Sequence, residues 1–272
     1  MAKPRKRHKQ QELFRHGGKR AGAGRPKQRA RASEHHKKRP ALKPYEPIHV
    51  VLRATPEVGS LRRRDLYRAV RRALLATIGR ESCRIVHISL QGSHIHLIVE
   101  ADNRIALARG MQAFQISAAK HINAALSKRG TSRPGARTPA APHARHSSDP
   151  HRSSTKRRGP VFSDRYHARI IRSPRQAHHS LAYVLNNWRH HGEHRDAIAR
   201  TWRIDPFSSG PSFDGWRDLD ASTLEWPVTY EPLPVWQPKT WLLREGWRKQ
   251  GLIDPAFVPG RKSAPIAAVL AE

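Results

Sequence analysis

The segment Ser93-His94-Ile95-His96-Leu97-Ile98-Val99-Glu100 has the clearest pattern in the chain. Residues two apart in a β-strand point to the same side, so His94 and His96 face one way. The opposite side carries apolar residues: Ile95, Leu97 and Val99. Two imidazoles at this spacing can chelate one divalent ion. The pattern also fits a half-exposed strand that happens to carry two of the chain's 18 histidines.

The composition points to a polyanionic partner. Among 272 residues, 52 Lys and Arg against 21 Asp and Glu give a formal charge of +31, and only 37% of the residues are hydrophobic. The basic residues are spread along the chain and do not lie on one amphipathic helix, which favours nucleic acid over a membrane surface. The single Cys83 cannot form an internal disulfide, and no apolar run has the length of a signal or membrane segment. A cytoplasmic, nucleoid-associated protein is expected.

Three segments lack the pattern of a packed domain. Residues 1–43 read as a disordered basic arm, and residues 129–160 as a disordered insertion rich in Pro, Ser, Arg and His. Within the arm, Gly24-Arg25-Pro26-Lys27 resembles an AT-hook, which would make Arg25 and Lys27 DNA contacts, but a generic phosphate-binding tail fits equally well. Residues 193–272 form a Trp/Pro-rich C-terminal extension with six of the seven tryptophans. These are expected mostly to anchor the extension, although tryptophan beside arginine can also hold single strands.

The remaining segment, residues 44–192, predicts the order β-α-β-β-α-β followed by one more helix. The strands are expected at 47–53, 84–90, 94–100 and 161–171, with Ser60 and Ser173 as caps of the first and third helices. This order matches the ferredoxin-like α+β arrangement, with two helices on one face of a four-stranded antiparallel sheet. Because Ile95, Leu97 and Val99 must meet those helices, His94 and His96 are expected on an open opposite face.

The last helix of this domain supplies further candidates for a site on that face. Tyr183 and Asn187 lie one turn apart on the same side. A histidine-hydrophobic-histidine strand together with such a helix resembles the single-tyrosine HUH transposases. The closest match is the REP-associated tyrosine transposase type, whose motifs appear here as Ser93-His94-Ile95-His96-Leu97 and Tyr183-Val184-Leu185-Asn186-Asn187. The resemblance covers about residues 45–192; it departs at Trp188, where the family usually has proline, and in the insertion.

The resemblance implies an HUH single-strand DNA endonuclease and transposase. His94, His96 and Asn187 would hold Mg²⁺ or Mn²⁺, and Tyr183 would attack a phosphate to give a 5′-phosphotyrosine. The implied activity is DNA cleavage and strand transfer during DNA transposition at palindromic repeats. The implied partner is single-stranded or hairpin DNA, bound by a monomer or homodimer that contacts no membrane.

Several residues have competing interpretations. Arg165 and His87 are candidate DNA contacts on the open side of the sheet. Tyr166 is a second possible nucleophile, but its alternation with apolar neighbours indicates a core residue. Glu100 continues the histidine face and could reach the metal, although a solvated carboxylate at the edge is the simpler interpretation. Asn187 also fits a plain polar residue at a helix end.

Two other functions are compatible with the same features. A replication or plasmid-transfer relaxase uses similar chemistry but is disfavoured by the absence of a helicase part. A non-catalytic DNA-binding protein, such as a domesticated repeat-binding factor, would need only the basic arm and the sheet. The sequence contains no carboxylate cluster of the kind used by two-metal nucleases.

Overall fold

The computed structural model describes residues 41–131, 157–195, 199–220 and 223–260. In chain order the strands and α-helices are β1 (Ile48–Arg53), α1 (Arg64–Thr77), β2 (Cys83–Leu90), β3 (His94–Ala101), α2 (Arg104–Thr131), β4 (His167–Ile170), α3 (Pro174–Leu185), α4 (Asn187–His190) and α5 (Trp241–Arg244). Short 3₁₀ turns connect parts of the C-terminal region. None of the helices in these ranges combines the length and apolar character needed to span a bilayer.

The four strands form one antiparallel sheet in the order β2-β3-β1-β4. The α+β class and the β2–β3 hairpin are therefore confirmed, and β3 lies between β2 and β1. Leu97 of β3 pairs with Val50 on one side and Ile88 on the other. The histidine segment is thus an interior strand, where both edges of the backbone are hydrogen-bonded.

One face of the sheet packs against α1 and α2, as the alternation predicts. Ile95, Leu97 and Val99 are fully buried in this core, which continues into α1 through Leu66 and Val70. From α2 the core receives a row of apolar side chains at helical spacing: Leu107, Met111, Phe114, Ala118 and Ile122. The apolar side of β3 therefore fixes which way the histidines point.

A β-bulge in β2 interrupts the alternation of side chains between the two faces of the sheet. The pairing with β3 shifts between Ile85 and His87, so Val86 is the extra residue. Ile88 and Leu90 face α1 and α2, whereas Val86 faces the opposite side and packs in a second core. Simple alternation along 84–90 predicts that Val86, Ile88 and Leu90 share one side; this prediction is wrong for Val86, because alternation does not continue through a bulge.

The second face of the sheet is largely covered, which corrects the prediction of an open face. The helix α3 lies over β2 and β3, and the C-terminal extension adds aromatic side chains beside it. Val86 and Ile98 of the sheet are buried in this second core together with Phe213, Trp216 and Trp247. The extension is thus a layer of the fold over the β2 half, while β4 and Arg53 stay exposed at the other half.

Glu100 explains where the extension attaches. Its carboxylate is fully buried, forms an ion pair with Arg84 at 3.1 Å, and accepts hydrogen bonds from the backbone N–H groups of Lys239 and Thr240. A buried charge needs a partner of opposite charge and several hydrogen bonds to offset its desolvation. Glu100 is therefore neither a solvated carboxylate nor a metal ligand; both interpretations were wrong because the extension covers it.

Several predicted boundaries also shift. Ser60 does not cap α1, which begins at Arg64 after the extended residue Arg63; the Ser60 hydroxyl accepts from the Arg62 N–H instead. The fourth strand is shorter than 161–171, and within residues 161–166 a bridge joins Phe162 to Ala54, just after β1. Most of the predicted insertion, residues 132–156, and the arm up to residue 40 lie outside the described residues.

The close contact between α2 and β2 at Gly110 yields a stability test. A Cβ at Gly110 would lie 2.2 Å from the Cys83 Sγ and 2.5 Å from its Cβ, whereas a Cβ at Gly79 would meet nothing within 4 Å. We expect Gly110→Ala to lower the free energy of unfolding by about 2 kcal/mol, since overpacking outweighs the helix preference for alanine. Gly79→Ala is the matched control and should be neutral or stabilising by about 0.4–1 kcal/mol. Urea titration measures both; equal stability of the two variants would contradict the packing described.

Candidate active site

Four histidine rings lie close together on the second face of the sheet. The rings of His94 and His96 are 4.7 Å apart between centroids, and His191 from the end of α4 lies 4.8 Å from His94. On β1, the His49 Nε2 is 3.0 Å from the His96 Nδ1. These contacts follow from the register, which places His49 next to Ile98 and Arg53 opposite His94 on the same face.

Helix α3 brings Tyr183 to this cluster. Pro174 at the start of the helix and the Ser173 side chain, which accepts from the Gln176 N–H, fix its first turn as predicted. The apolar side of α3 packs on the sheet, and the half-buried Tyr183 projects beside the histidines. Its ring centroid lies 5.4 Å from that of His96 and 5.9 Å from that of His49. The segment at 93–97 and the segment at 183–187 therefore meet in space.

Burial keeps these imidazoles neutral. It lowers the pKa of His94 and of His49 to about 4, and the pKa of His96 to about 2, with the neighbouring imidazoles adding to the shift of His96. A neutral imidazole is the form that binds a metal ion or accepts a proton. Burial also raises the pKa of the Tyr183 phenol, so the protein environment does not by itself favour the phenolate.

The second face offers several donor atoms that a divalent ion could use. The Nε2 of His96 is buried without a hydrogen-bond partner, and so are both amide atoms of Asn187. Asn187 begins α4, and Asn186 separates it from α3, so Tyr183 and Asn187 do not lie on one continuous helix as predicted. Unpaired buried polar atoms are costly, and a ligand that binds them would remove the cost. Within the described ranges, no group of three or more His, Cys, Asp or Glu side chains could hold a metal ion. A metal site built on His94 and His96 would therefore need a third donor of another type.

A cleft opens beside Tyr183 at the β4 side of this face, and Pro259 and Gly260, at the end of the described extension, form part of its wall. This tyrosine cleft has a volume of about 690 Å³, and its lining includes His49, Tyr183, Arg169, Arg175 and His179. Arg169 projects from β4 directly opposite His49. Basic side chains thus surround the approach to the phenol, which suits a phosphate-bearing ligand.

The other predicted site residues lie in different surroundings. Arg165 is exposed just before β4, at the open half of the sheet. His87 is only 7% exposed, because Ser209 and Phe213 of the extension cover its ring, so it has almost no surface with which to contact DNA. Tyr166 is buried in the α1–α2 core, as predicted. Arg25 and Lys27 lie outside the described residues.

Two histidines of the cluster, His49 and His191, and the neighbouring His190 were not predicted from the sequence. His49 alternates with Ile48 and Val50 in β1, so the same reasoning that was applied to β3 would have placed it on the histidine face. His190 and His191 follow Tyr183 by two turns, and the ring of His190 lies 6.1 Å from the phenol. Their spacing from Tyr183 would place both on the same side of a continuous helix. In the structure the helix is interrupted: α3 ends at Leu185 and α4 begins at Asn187.

Comparison with known proteins finds a distant structural similarity. No protein-family model and no curated protein matches the chain. Among solved structures, that of a REP-associated tyrosine transposase bound to a REP hairpin is similar over 65% of this chain and 82% of that chain, with a TM-score of 0.37 and 15% sequence identity. At this TM-score and identity, the likeness supports no conclusion about individual residues or activity.

The covered position of His87 predicts a pH effect on stability. Burial lowers the pKa of His87 from 6.5 to about 4. Between these values the unfolded chain binds a proton at His87 that the folded chain does not, so stability falls as the pH falls. From pH 7 to pH 5 we expect His87 to account for a loss of about 2 kcal/mol in the free energy of unfolding. Urea titrations at both pH values measure this, and His87→Gln should lose less stability than the original chain. An equal loss in both proteins would show that His87 is not buried as described.

Proposed function

We propose that this protein cleaves single-stranded DNA and transfers the cleaved strand through a covalent bond to Tyr183, as a transposase acting at palindromic repeats. The observation that carries the proposal is the position of the Tyr183 ring, 5.4 Å from His96 and 5.9 Å from His49. A nucleophile needs neighbours that can accept its proton and orient the scissile group. The two sequence segments that resemble those of REP-associated tyrosine transposases are the segments that meet here.

The proposed reaction begins with attack of the Tyr183 oxygen on a backbone phosphorus atom. The new tyrosine–phosphorus bond replaces the bond to the 3′ oxygen, which leaves as a 3′-hydroxyl after taking a proton. The phenol proton passes to an imidazole next to the ring, for which His49 and His190 are the candidates. In strand transfer, a 3′-hydroxyl attacks the phosphotyrosine, the tyrosine–oxygen bond to phosphorus breaks, and Tyr183 recovers its proton. The phosphodiester count is conserved, so no ATP is needed.

The proposed cofactor is Mg²⁺ or Mn²⁺, held by His94, His96 and Asn187. The support is the donor chemistry described above: two neutral imidazoles and an amide without a partner. Imidazole nitrogens make Mn²⁺ a good fit, while Mg²⁺ prefers oxygen donors. When bound, such an ion would polarise the scissile phosphate as a Lewis acid.

The proposed substrate is single-stranded or hairpin DNA that enters through the tyrosine cleft. Arg169 and Arg175 line this cleft, and Arg53 and Arg165 are exposed on the same half of the sheet. The strand order β2-β3-β1-β4, with the element order β-α-β-β-α-β, supports the ferredoxin-like assignment. Such an enzyme would work on nucleoid DNA in the cytoplasm.

A pair of tyrosine variants tests the nucleophile. Tyr183→Phe should abolish a covalent protein–DNA adduct with a labelled hairpin oligonucleotide while retaining DNA binding, because phenylalanine keeps the ring but lacks the attacking oxygen. Tyr166→Phe is the matched control, since Tyr166 is buried in the α1–α2 core, and it should form the adduct. Denaturing gels detect the adduct and fluorescence anisotropy measures binding. Adduct formation by Tyr183→Phe would exclude Tyr183 as the nucleophile.

Metal removal tests the proposed ligands. We expect EDTA to abolish the adduct and Mn²⁺ or Mg²⁺ to restore it. The double variant His94→Ala/His96→Ala should lose the restoration and should also lose Mn²⁺ binding measured by calorimetry without DNA. His121→Ala on α2 removes an imidazole outside the cluster and should behave like the original chain. Undiminished Mn²⁺ binding by the double variant would exclude this ligand set.

A second candidate function is DNA binding without catalysis, as in a domesticated repeat-binding factor. The observation that favours it is the pKa of Tyr183, which burial raises, so that the phenol holds its proton more firmly than in water. The charge of +31 would suffice for binding. The two functions differ in one result: a binding protein retains the hairpin with and without Mn²⁺ but never forms an adduct.

A further inference from the structure

A second cleft lies on the other side of the sheet, between α1 and the C-terminal extension. It has a volume of about 290 Å³ and is walled by aromatic side chains, here called the aromatic cleft: Tyr67, Trp202, Phe207, Trp226 and Tyr230. Because α1 packs on the apolar side of β3 and Tyr183 lies on the histidine side, the aromatic cleft is separate from the tyrosine cleft.

The aromatic cleft presents ring faces more than hydrogen-bonding groups. The Tyr67 hydroxyl donates to the Glu231 carbonyl at 2.7 Å, and the Tyr230 hydroxyl donates to the Pro206 carbonyl at 3.0 Å. Both phenols are thus held by the extension's own backbone. Trp226 stacks on Tyr230 with ring centroids 4.8 Å apart. Trp202 and Trp226 are each only partly buried, so aromatic surface remains available for a ligand.

The rim of the aromatic cleft is basic. Arg64 and Arg68 lie one turn apart on α1, and both are exposed. Arg71 continues this row and pairs with Glu231 at 2.6 Å, which leaves three arginines against one glutamate around the opening. Like charges one turn apart repel each other, and an anion bound between them removes that cost. An uncharged or cationic partner would gain nothing from this arrangement.

We propose that the aromatic cleft binds an unpaired base of single-stranded nucleic acid, with the adjoining phosphates on Arg64 and Arg68. Bases stack on aromatic rings regardless of sequence, and basic residues beside the rings follow the backbone. The volume lies at the lower limit of ligand pockets, about 300 Å³, which suits one base and excludes a stacked duplex. The site would hold DNA or RNA away from the histidine cluster, independently of whether Tyr183 is a nucleophile.

Photo-cross-linking locates the bound base directly. The full chain carrying Tyr183→Phe is irradiated in EDTA with a single-stranded oligonucleotide containing 5-bromouracil, so that neither cleavage nor metal binding contributes. We expect cross-links at Trp202 or Trp226. A deoxyribose and a ribose oligonucleotide of the same sequence show which strand is preferred, and cross-linking of either supports the cleft. Cross-links confined to other regions would overturn the proposal, whatever the result of the adduct assay.

Affinity measurements separate stacking from charge. Trp202→Leu should weaken binding of an oligonucleotide about tenfold, within the range seen when one stacking ring is lost, and should abolish its preference over an abasic strand. Trp202→Phe should retain most of the affinity and most of the preference over the abasic strand, because phenylalanine keeps an aromatic ring. A variant that had merely misfolded would retain neither. Unchanged affinity and unchanged discrimination in Trp202→Leu would contradict the proposal.

A matched charge control completes the test. Arg64→Ala/Arg68→Ala should weaken binding and reduce its salt dependence more than Arg104→Ala/Arg109→Ala, which removes two exposed arginines from α2. Equal losses in the two double variants would show that binding depends on net charge alone and not on the aromatic cleft, which would contradict the proposal. If another part of the chain or a protein partner fills the cleft, the oligonucleotide will not cross-link to Trp202 or Trp226. That result would likewise overturn the proposal.

Discussion

Strand β3 is buried on both faces, and most of the structure follows from that constraint. Ile95, Leu97 and Val99 are covered by α1 and α2, while His96, Ile98 and Glu100 are covered by α3 and the extension. A strand with one apolar side normally leaves its polar side in water. Here the polar side is also enclosed, so every polar group on it needs a partner from the protein or from a ligand. The two ends of β3 meet this need differently.

At the Glu100 end, the partner comes from the chain itself. Arg84 supplies the opposite charge, and the N–H groups of Lys239 and Thr240 supply further donors. Breaking such a pair by removing one partner typically costs about 3–5 kcal/mol, because a buried charge remains. The extension is therefore attached where a charge requires it, over the β2 half of the sheet. The tyrosine cleft opens at the other half, beside β4, where Pro259 and Gly260 of the extension contribute to its wall.

The sequence predicted the parts of the fold that depend on local periodicity. The strand at 94–100 and the cap at Ser173 were correct, because their signals lie within a few residues. The bulge at Val86 was missed, since it depends on pairing with β3. The covered second face was missed as well, because it depends on contacts more than 100 residues apart, such as Glu100 with Lys239. His49 could have been placed by alternation, but its contact with His96 depends on the register between β1 and β3.

The histidine end of β3 differs, because the buried polar groups there are uncharged imidazoles and the Nε2 of His96 has no hydrogen-bond partner among the described residues. Folding encloses His49, His94 and His96 side by side; burial, and after it the neighbouring rings of His49 and His94, lower the tendency of His96 to take a proton. Leaving the Nε2 of His96 without a partner costs about 1–3 kcal/mol relative to a paired group. Apolar side chains would fill the same space without that cost. Other buried polar atoms of the described residues, such as both ring nitrogens of His178, are also unpaired, so it is the position of the His96 ring beside Tyr183, and not the missing partner alone, that supports the proposed ligand.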